Sequence, residues 1–152
     1  MNFSQITPDL FIGPMPTAAD YIRLRDLGVR LVLNMRFASK LPAGLSHAPI
    51  EVLWLRTFDS PLTPMPLKTI ITGTRRALEV IRAGGKIYSH CAKGRHRSVV
   101  MGAAILIAQG HAPETAIHLI KEKRPISDPN AFYIRKRIFD FAHYLQEYGL
   151  PA

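Results

Sequence analysis

His90-Cys91-Ala92-Lys93-Gly94-Arg95-His96-Arg97-Ser98 lies between a β-rich run, Lys86 to Ser89, and a strongly apolar run, Val99 to Ala108, that has the composition of a core helix. A strand that passes through a tight loop into a helix aims successive backbone N–H groups at one spot, where the helix dipole also favours negative charge. Gly94 permits the turn. Such a place, with basic groups nearby, lowers a thiol pKa from about 8.5 into roughly the 3.5–7.5 range. An unperturbed thiol is only a few per cent ionised at pH 7. Cys91 is therefore expected as a largely ionised nucleophile. Arg97, six residues further on, can return to the mouth of the loop and donate two parallel hydrogen bonds to a phosphoryl group, which a lysine cannot do. The Ser98 hydroxyl can bond the sulfur. Together with the loop residues Ala92, Lys93, Gly94, Arg95 and His96, these groups suit a phosphate monoester.

Working outward, Leu10 to Gly13 reads as a short strand, and Thr17 as the N-cap of an amphipathic helix from Ala18 to Leu27 that Gly28 ends. Val29 to Asn34 and Ile50 to Leu55 read as strands, with Trp54 expected in or at the edge of the core. Phe37 to Pro49 lacks periodicity and reads as a surface loop carrying a solvated His47. Pro66 to Ala83 has apolar residues at helical spacing and is stopped by Gly84-Gly85. Beyond the apolar helix, Gly110 is a stop. A helix is expected from Pro113 to about Lys123, and a last one from about Asn130 to Tyr148, with Phe132, Ile138, Phe139, Ala142 and Leu145 on its packed face. Alternating strands and helices argue for an α/β fold with a mainly parallel sheet and the Cys91 loop at the strand carboxyl ends.

At 152 residues the chain fits one domain, 1–152, and its hydrophobic content of 47% with 20% charged residues is that of a globular protein. A single cysteine excludes an internal disulfide, which fits a reducing compartment. MNFSQITPDLF lacks the basic patch and apolar run of a signal peptide, and no run is long enough to cross a bilayer, so a cytoplasmic protein is expected. The net charge of +9 favours anionic partners without choosing among them. The histidines lack ligand spacing, so neither a metal nor a cofactor is expected.

Cys, five residues, Arg, with His before the Cys, Gly three residues after it and Ser after the Arg, resembles the signature loop of the cysteine-dependent protein tyrosine phosphatase superfamily. Gly28-Val29-Arg30-Leu31-Val32-Leu33-Asn34 matches a "G-I/V-x-x-V-L-N" strand of its compact dual-specificity branch, and Arg124-Pro125 followed by Asp128-Pro129-Asn130-Ala131-Phe132 resembles the stretch leading into that branch's last helix. The resemblance runs from Leu10 to Leu145. It implies a three-layer fold whose mainly parallel central sheet of four to five strands is flanked by helices, and hydrolysis of phosphate monoesters through a phosphocysteine intermediate. In the family an Asp on a loop after the preceding sheet strand, about thirty residues before the nucleophile, protonates the leaving group. Asp59 stands there. The family pattern also implies that Asn130 braces the signature loop from behind, and His90 is expected to orient that loop by hydrogen bonding.

Phosphorylated protein on Tyr, Ser or Thr is the expected substrate, with phosphate or sulfate as simple ligands and no nucleic acid expected. Lys93, Arg95 and His96 make the loop unusually basic, which keeps a phosphoinositide or other polyanion open as the alternative, although Ala92 holds a place where lipid-directed relatives carry Lys. A rhodanese-like sulfurtransferase, which also sets a Cys in an anion-sized loop, ranks lower because it needs neither the Asp nor the Arg-Ser ending.

Overall fold

A computed structural model describes residues 2–38 and 49–151. Most of the expected 37–49 loop, including His47, lies outside the described residues. The sheet has five strands: β1 (Ser4–Thr7), β2 (Leu10–Gly13), β3 (Val29–Asn34), β4 (Glu51–Trp54) and β5 (Lys86–His90), in the order β1-β2-β5-β3-β4. The antiparallel pair β1/β2 aside, all neighbours run parallel. β1 has no counterpart among the expected strands. It is four residues long and lies at the sheet edge with only Ile6 buried, too short for an alternating pattern to show.

Alternation on the pleat divides the core into two. Leu10, Ile12, Leu31, Leu33 and Ile87 face one way, onto α2 (Leu67–Arg82), α3 (Arg97–Ala108), α4 (Pro113–Lys123) and α5 (Phe132–Tyr148). Phe11, Val32 and Tyr88 face the other way, onto Tyr21 and Leu24 of α1 (Ala18–Asp26). The result is the expected three-layer arrangement. α1 opens with a reciprocal cap in which Asp20 N–H donates to Thr17 Oγ1 at 3.3 Å and Thr17 N–H donates to Asp20 Oδ2 at 2.8 Å. α3 is buried along nearly its whole length because it lies in the middle of the helical layer.

Two packing expectations are corrected. Trp54 is 48% exposed: β4 is the edge strand, and its indole N–H donates to Arg36 O at 2.7 Å at the rim. On α5 the buried face is Ile134, Ile138 and Phe141, three and four residues apart, while Phe132 is 74% exposed and Phe139 also reaches solvent. The helix has turned Phe132 outward at its first position. No helix among the described residues is long and apolar enough to cross a membrane.

The register aligns the strand ends. Gly13, Asn34 and His90 lie side by side across β2, β5 and β3, and Asn34 in turn faces Trp54 of β4. Four parallel strands therefore end along one line, and the segments leaving them gather at one edge of the sheet.

Candidate active site

Cys91 is the first residue beyond β5, the central strand, and α3 begins six residues later. α3 starts at Arg97 rather than Val99, because the backbone N–H groups of Val99 and Val100 both donate to His96 O at 3.0 Å. Arg97 and Ser98 thereby belong to the first helical turn. Gly94 has φ +66°, and a Cβ there would come within 2.6 Å of the Gly13 carbonyl, so only glycine lets the loop turn left-handed while lying directly on β2's end.

The loop encloses a cavity of about 220 Å³ lined by Asp59, Cys91, Ala92, Lys93, Arg95, His96 and Arg97. Cys91 is only 3% exposed, yet it forms part of that lining, so the sulfur sits at the bottom of an open pocket and not in sealed core. Its Sγ lies 3.3 Å from Ser98 Oγ. Burial pushes the thiol pKa up, but the Ser98 hydroxyl and the backbone N–H groups of Ser98, Arg95 and His96 hydrogen-bond the sulfur and outweigh it, leaving the thiol below its ordinary value. The buried Ser98 is held in turn, its carbonyl accepting from Ser89 Oγ at 3.0 Å.

Arg97 is fixed by the ends of two neighbouring strands. Its Nη1 donates to Met35 O at 2.8 Å, just past β3, and to Thr57 O at 2.6 Å, just past β4. Its Nε is buried and has no protein partner among the described residues. A buried donor without a partner costs roughly 1–3 kcal/mol.

Asp59 hangs over the same cavity from the segment between β4 and α2. Its Oδ1 accepts from Tyr133 Oη at 2.7 Å, and its Oδ2 lies 2.9 Å from His96 Nδ1. Partial burial raises its pKa, but the bonds from His96 and Tyr133 and the nearby positive charge of His96 and Arg97 prevail, so the carboxyl is held below its ordinary value. His90 is buried beneath the loop, with Nδ1 3.3 Å from Cys91 O. Desolvation lowers its pKa to about 4, so it stays neutral there at physiological pH and adds no charge beneath the loop.

Asn130 does not brace the loop. It is exposed, and its Oδ1 accepts at 3.1 Å from Nη1 of Arg135 in the first turn of α5, which follows it in sequence. The brace is Arg124, 1% exposed, whose Nε donates to Gly94 O at 2.8 Å and Nη2 to Lys93 O at 3.1 Å, while Nη1 reaches Asn2 O at 3.0 Å. One planar guanidinium thus ties the back of the loop to the chain's N-terminal segment. Tyr133 and Arg124 were not among the expected site residues. Arg124 stands in the family-like stretch before Asn130, which was the one available signal for it.

No family model matches the chain. Dual specificity phosphatase 28 of Mus musculus is 31% identical over 130 residues, covering 84% of this chain and 77% of that protein. The chain belongs to the dual-specificity phosphatase family. It is accordingly a cysteine-dependent phosphoric monoester hydrolase of the protein tyrosine phosphatase superfamily, and the sulfurtransferase alternative is set aside. A human phosphatidylglycerophosphatase and protein-tyrosine phosphatase 1 is 33% identical over 132 residues, 80% of this chain and 64% of that one. Among solved structures, a mouse putative dual specificity phosphatase complexed with zinc tungstate superposes with a TM-score of 0.86 at 25% identity, covering 97% of this chain and 91% of its own. PTPMT1 in complex with PI(5)P superposes with a TM-score of 0.83 at 27% identity over 95% of this chain and 97% of that one. The dual-specificity fold expected from the signature loop is the fold present.

Proposed function

We propose that Cys91, Arg97, Asp59 and Ser98 carry the hydrolysis and that its substrate is a phosphorylated protein. The observation that supports this best is the convergence of the Cys91 sulfur, the Arg97 guanidinium and the Asp59 carboxyl on one cavity. The phosphoryl oxygens lie among the backbone N–H groups of residues 92–97 and accept from Arg97. Sγ of the thiolate attacks phosphorus, the S–P bond forms as the ester P–O bond breaks, and a proton passes from Asp59 to the departing oxygen. Water then attacks phosphorus, its proton goes to Asp59, and sulfur leaves as a thiolate that the Ser98 hydroxyl stabilises. Asp59 is ionised in the free site, ready for the second half. An arriving phosphate dianion is a like charge and favours the protonated form needed for the first half.

Asp59→Asn is expected to lower turnover about 10²- to 10⁴-fold for alkyl phosphates such as phosphothreonine, and less for esters with good leaving groups. The sign of the pH effect follows from the donor: only protonated Asp59 supplies a proton, so kcat/KM falls as pH rises, and in the Asn variant this falling limb disappears. Equal alkyl phosphate rates for the two proteins remove Asp59 from the mechanism.

A phosphoinositide substrate is the second reading. It is favoured by Lys93 and Arg95, both exposed beside the cavity, and by the relative named as a phosphatidylglycerophosphatase and the structural neighbour holding PI(5)P. Parallel assays on phosphotyrosine peptide, phosphothreonine peptide and short-chain phosphoinositides decide between them. The first reading expects peptide kcat/KM to exceed the lipid values by tenfold or more, on the order of 1.4 kcal/mol, and the reverse ratio overturns it.

A further inference from the structure

The loop that carries Asp59, residues 55–66, contains no regular secondary structure, and two side chains from other elements hold the carboxyl itself. Tyr133 Oη, from the first turn of α5, holds Oδ1 at 2.7 Å, and His96 Nδ1, from the signature loop, holds Oδ2 at 2.9 Å. The other imidazole nitrogen, His96 Nε2, lies 3.5 Å from Asp128 Oδ2. Asp128 is itself tied to the signature loop: its backbone N–H donates to Arg95 O at 2.9 Å, and Arg95 Nη2 approaches its carboxylate at 3.8 Å. Tyr133 Oη is also 3.4 Å from His96 Nδ1, so Asp59, Tyr133 and His96 are in mutual contact. A carboxylate has no hydrogen to offer, so His96 satisfies Asp59 only by donating from Nδ1, and meets Asp128 as a hydrogen bond only with a second hydrogen on Nε2.

We propose that His96 is a positioning residue for the proton donor: with Tyr133 it clamps the Asp59 carboxyl over the Cys91 pocket, and Asp128 anchors the imidazole from its far side. The inference rests on the proposed acid role of Asp59. It gives His96 a task beyond the backbone N–H it contributes to the loop, and it links three segments that are distant in sequence at the one group whose placement controls proton transfer. Displacing a reacting group by about 1 Å costs on the order of 10²-fold.

The test compares an alkyl phosphate, whose departure needs the acid, with an activated aryl phosphate, whose departure needs it much less. His96→Ala is expected to slow both, because it disturbs the loop, but to slow the alkyl ester about 10- to 100-fold more. Tyr133→Phe, which removes one hydroxyl, is expected to shift the ratio in the same direction. His96→Asn keeps an N–H donor near the Nδ1 position and is expected to return the ratio to within about threefold of the parent. In an Asp59→Asn background, His96→Ala is expected to leave the ratio where Asp59→Asn alone put it. Equal slowing of both esters by His96→Ala, or a further fall of the ratio in the Asp59→Asn background, overturns the clamp while leaving Asp59 as acid. Parent-like alkyl turnover by Asp59→Asn alone overturns both.

Discussion

Cys91→Ser is expected to abolish phosphate release, a loss on the order of 10⁵- to 10⁶-fold, the scale reached when the nucleophile of another covalent enzyme is removed. The site amplifies a difference that is modest in free amino acids. Hydrogen bonds from Ser98 and from the N–H groups of Ser98, Arg95 and His96 hold the thiol below its ordinary pKa, whereas a serine hydroxyl in the same place remains un-ionised at neutral pH. The cradle itself does not depend on sulfur: Gly94 still turns on Gly13, Arg124 still holds Gly94 O and Lys93 O, and Arg97 still hangs from Met35 O and Thr57 O. The variant is therefore expected to fold and to bind inorganic phosphate or tungstate at least as tightly as the parent, since it lacks the thiolate's negative charge. Calorimetric titration beside a phosphate-release assay reads both halves. Residual turnover within a hundredfold of the parent, or lost anion binding, sinks the assignment of Cys91.

How much of the molecule is legible in its sequence depends on the range over which each residue acts. His90 to Ser98 is a local device: its glycine, its thiol and the helix after it are neighbours in sequence, so the loop, the cavity lining and the place of the loop at a sheet edge could all be read from one string. Asp59 was reached through the family pattern, and the structure puts it over the same cavity. The supports were not legible in this way. Arg124 reaches back to Asn2 and Ser4 as well as to Gly94, a set of contacts that exists only once β1 has paired with β2 and α4 has packed beside them. Asn130 has the right neighbours in sequence, but its side chain meets Arg135 of the helix that follows it. Tyr133 comes after an exposed Phe132, and nothing in its local pattern marks a hydroxyl that meets Asp59 across the cavity mouth. Trp54 shows the same limit on the fold side, since its β-rich surroundings do not say that β4 is an edge strand.

Arg97→Lys is expected to cost about 10³-fold or more in kcat, close to the value of a transition-state guanidinium in other phosphoryl-transfer sites, even though the positive charge is kept. The reason is the number of directions in which the side chain must donate at once. In the parent, Nη1 is committed to two main-chain acceptors, at 2.8 Å and 2.6 Å, which lock the plane of the guanidinium. In the proposed complex, the buried Nε, free of protein partners among the described residues, and Nη2 donate to the phosphoryl group as a rigid fork. A lysine has one nitrogen. It either satisfies Met35 O and Thr57 O and withdraws from the phosphoryl group, or turns to the phosphoryl group and leaves Thr57 O without its donor, at roughly 1–3 kcal/mol, while Met35 O keeps only the Thr57 hydroxyl at 2.7 Å. Either way the oxygens that gain charge as phosphorus becomes five-coordinate lose their paired donors, so kcat suffers more than KM. Steady-state kinetics with an aryl phosphate, alongside phosphate as a competitive inhibitor, separates the two effects. A lysine variant within tenfold of the parent in kcat means that charge alone suffices and that the fork geometry around Met35 and Thr57 has no catalytic role.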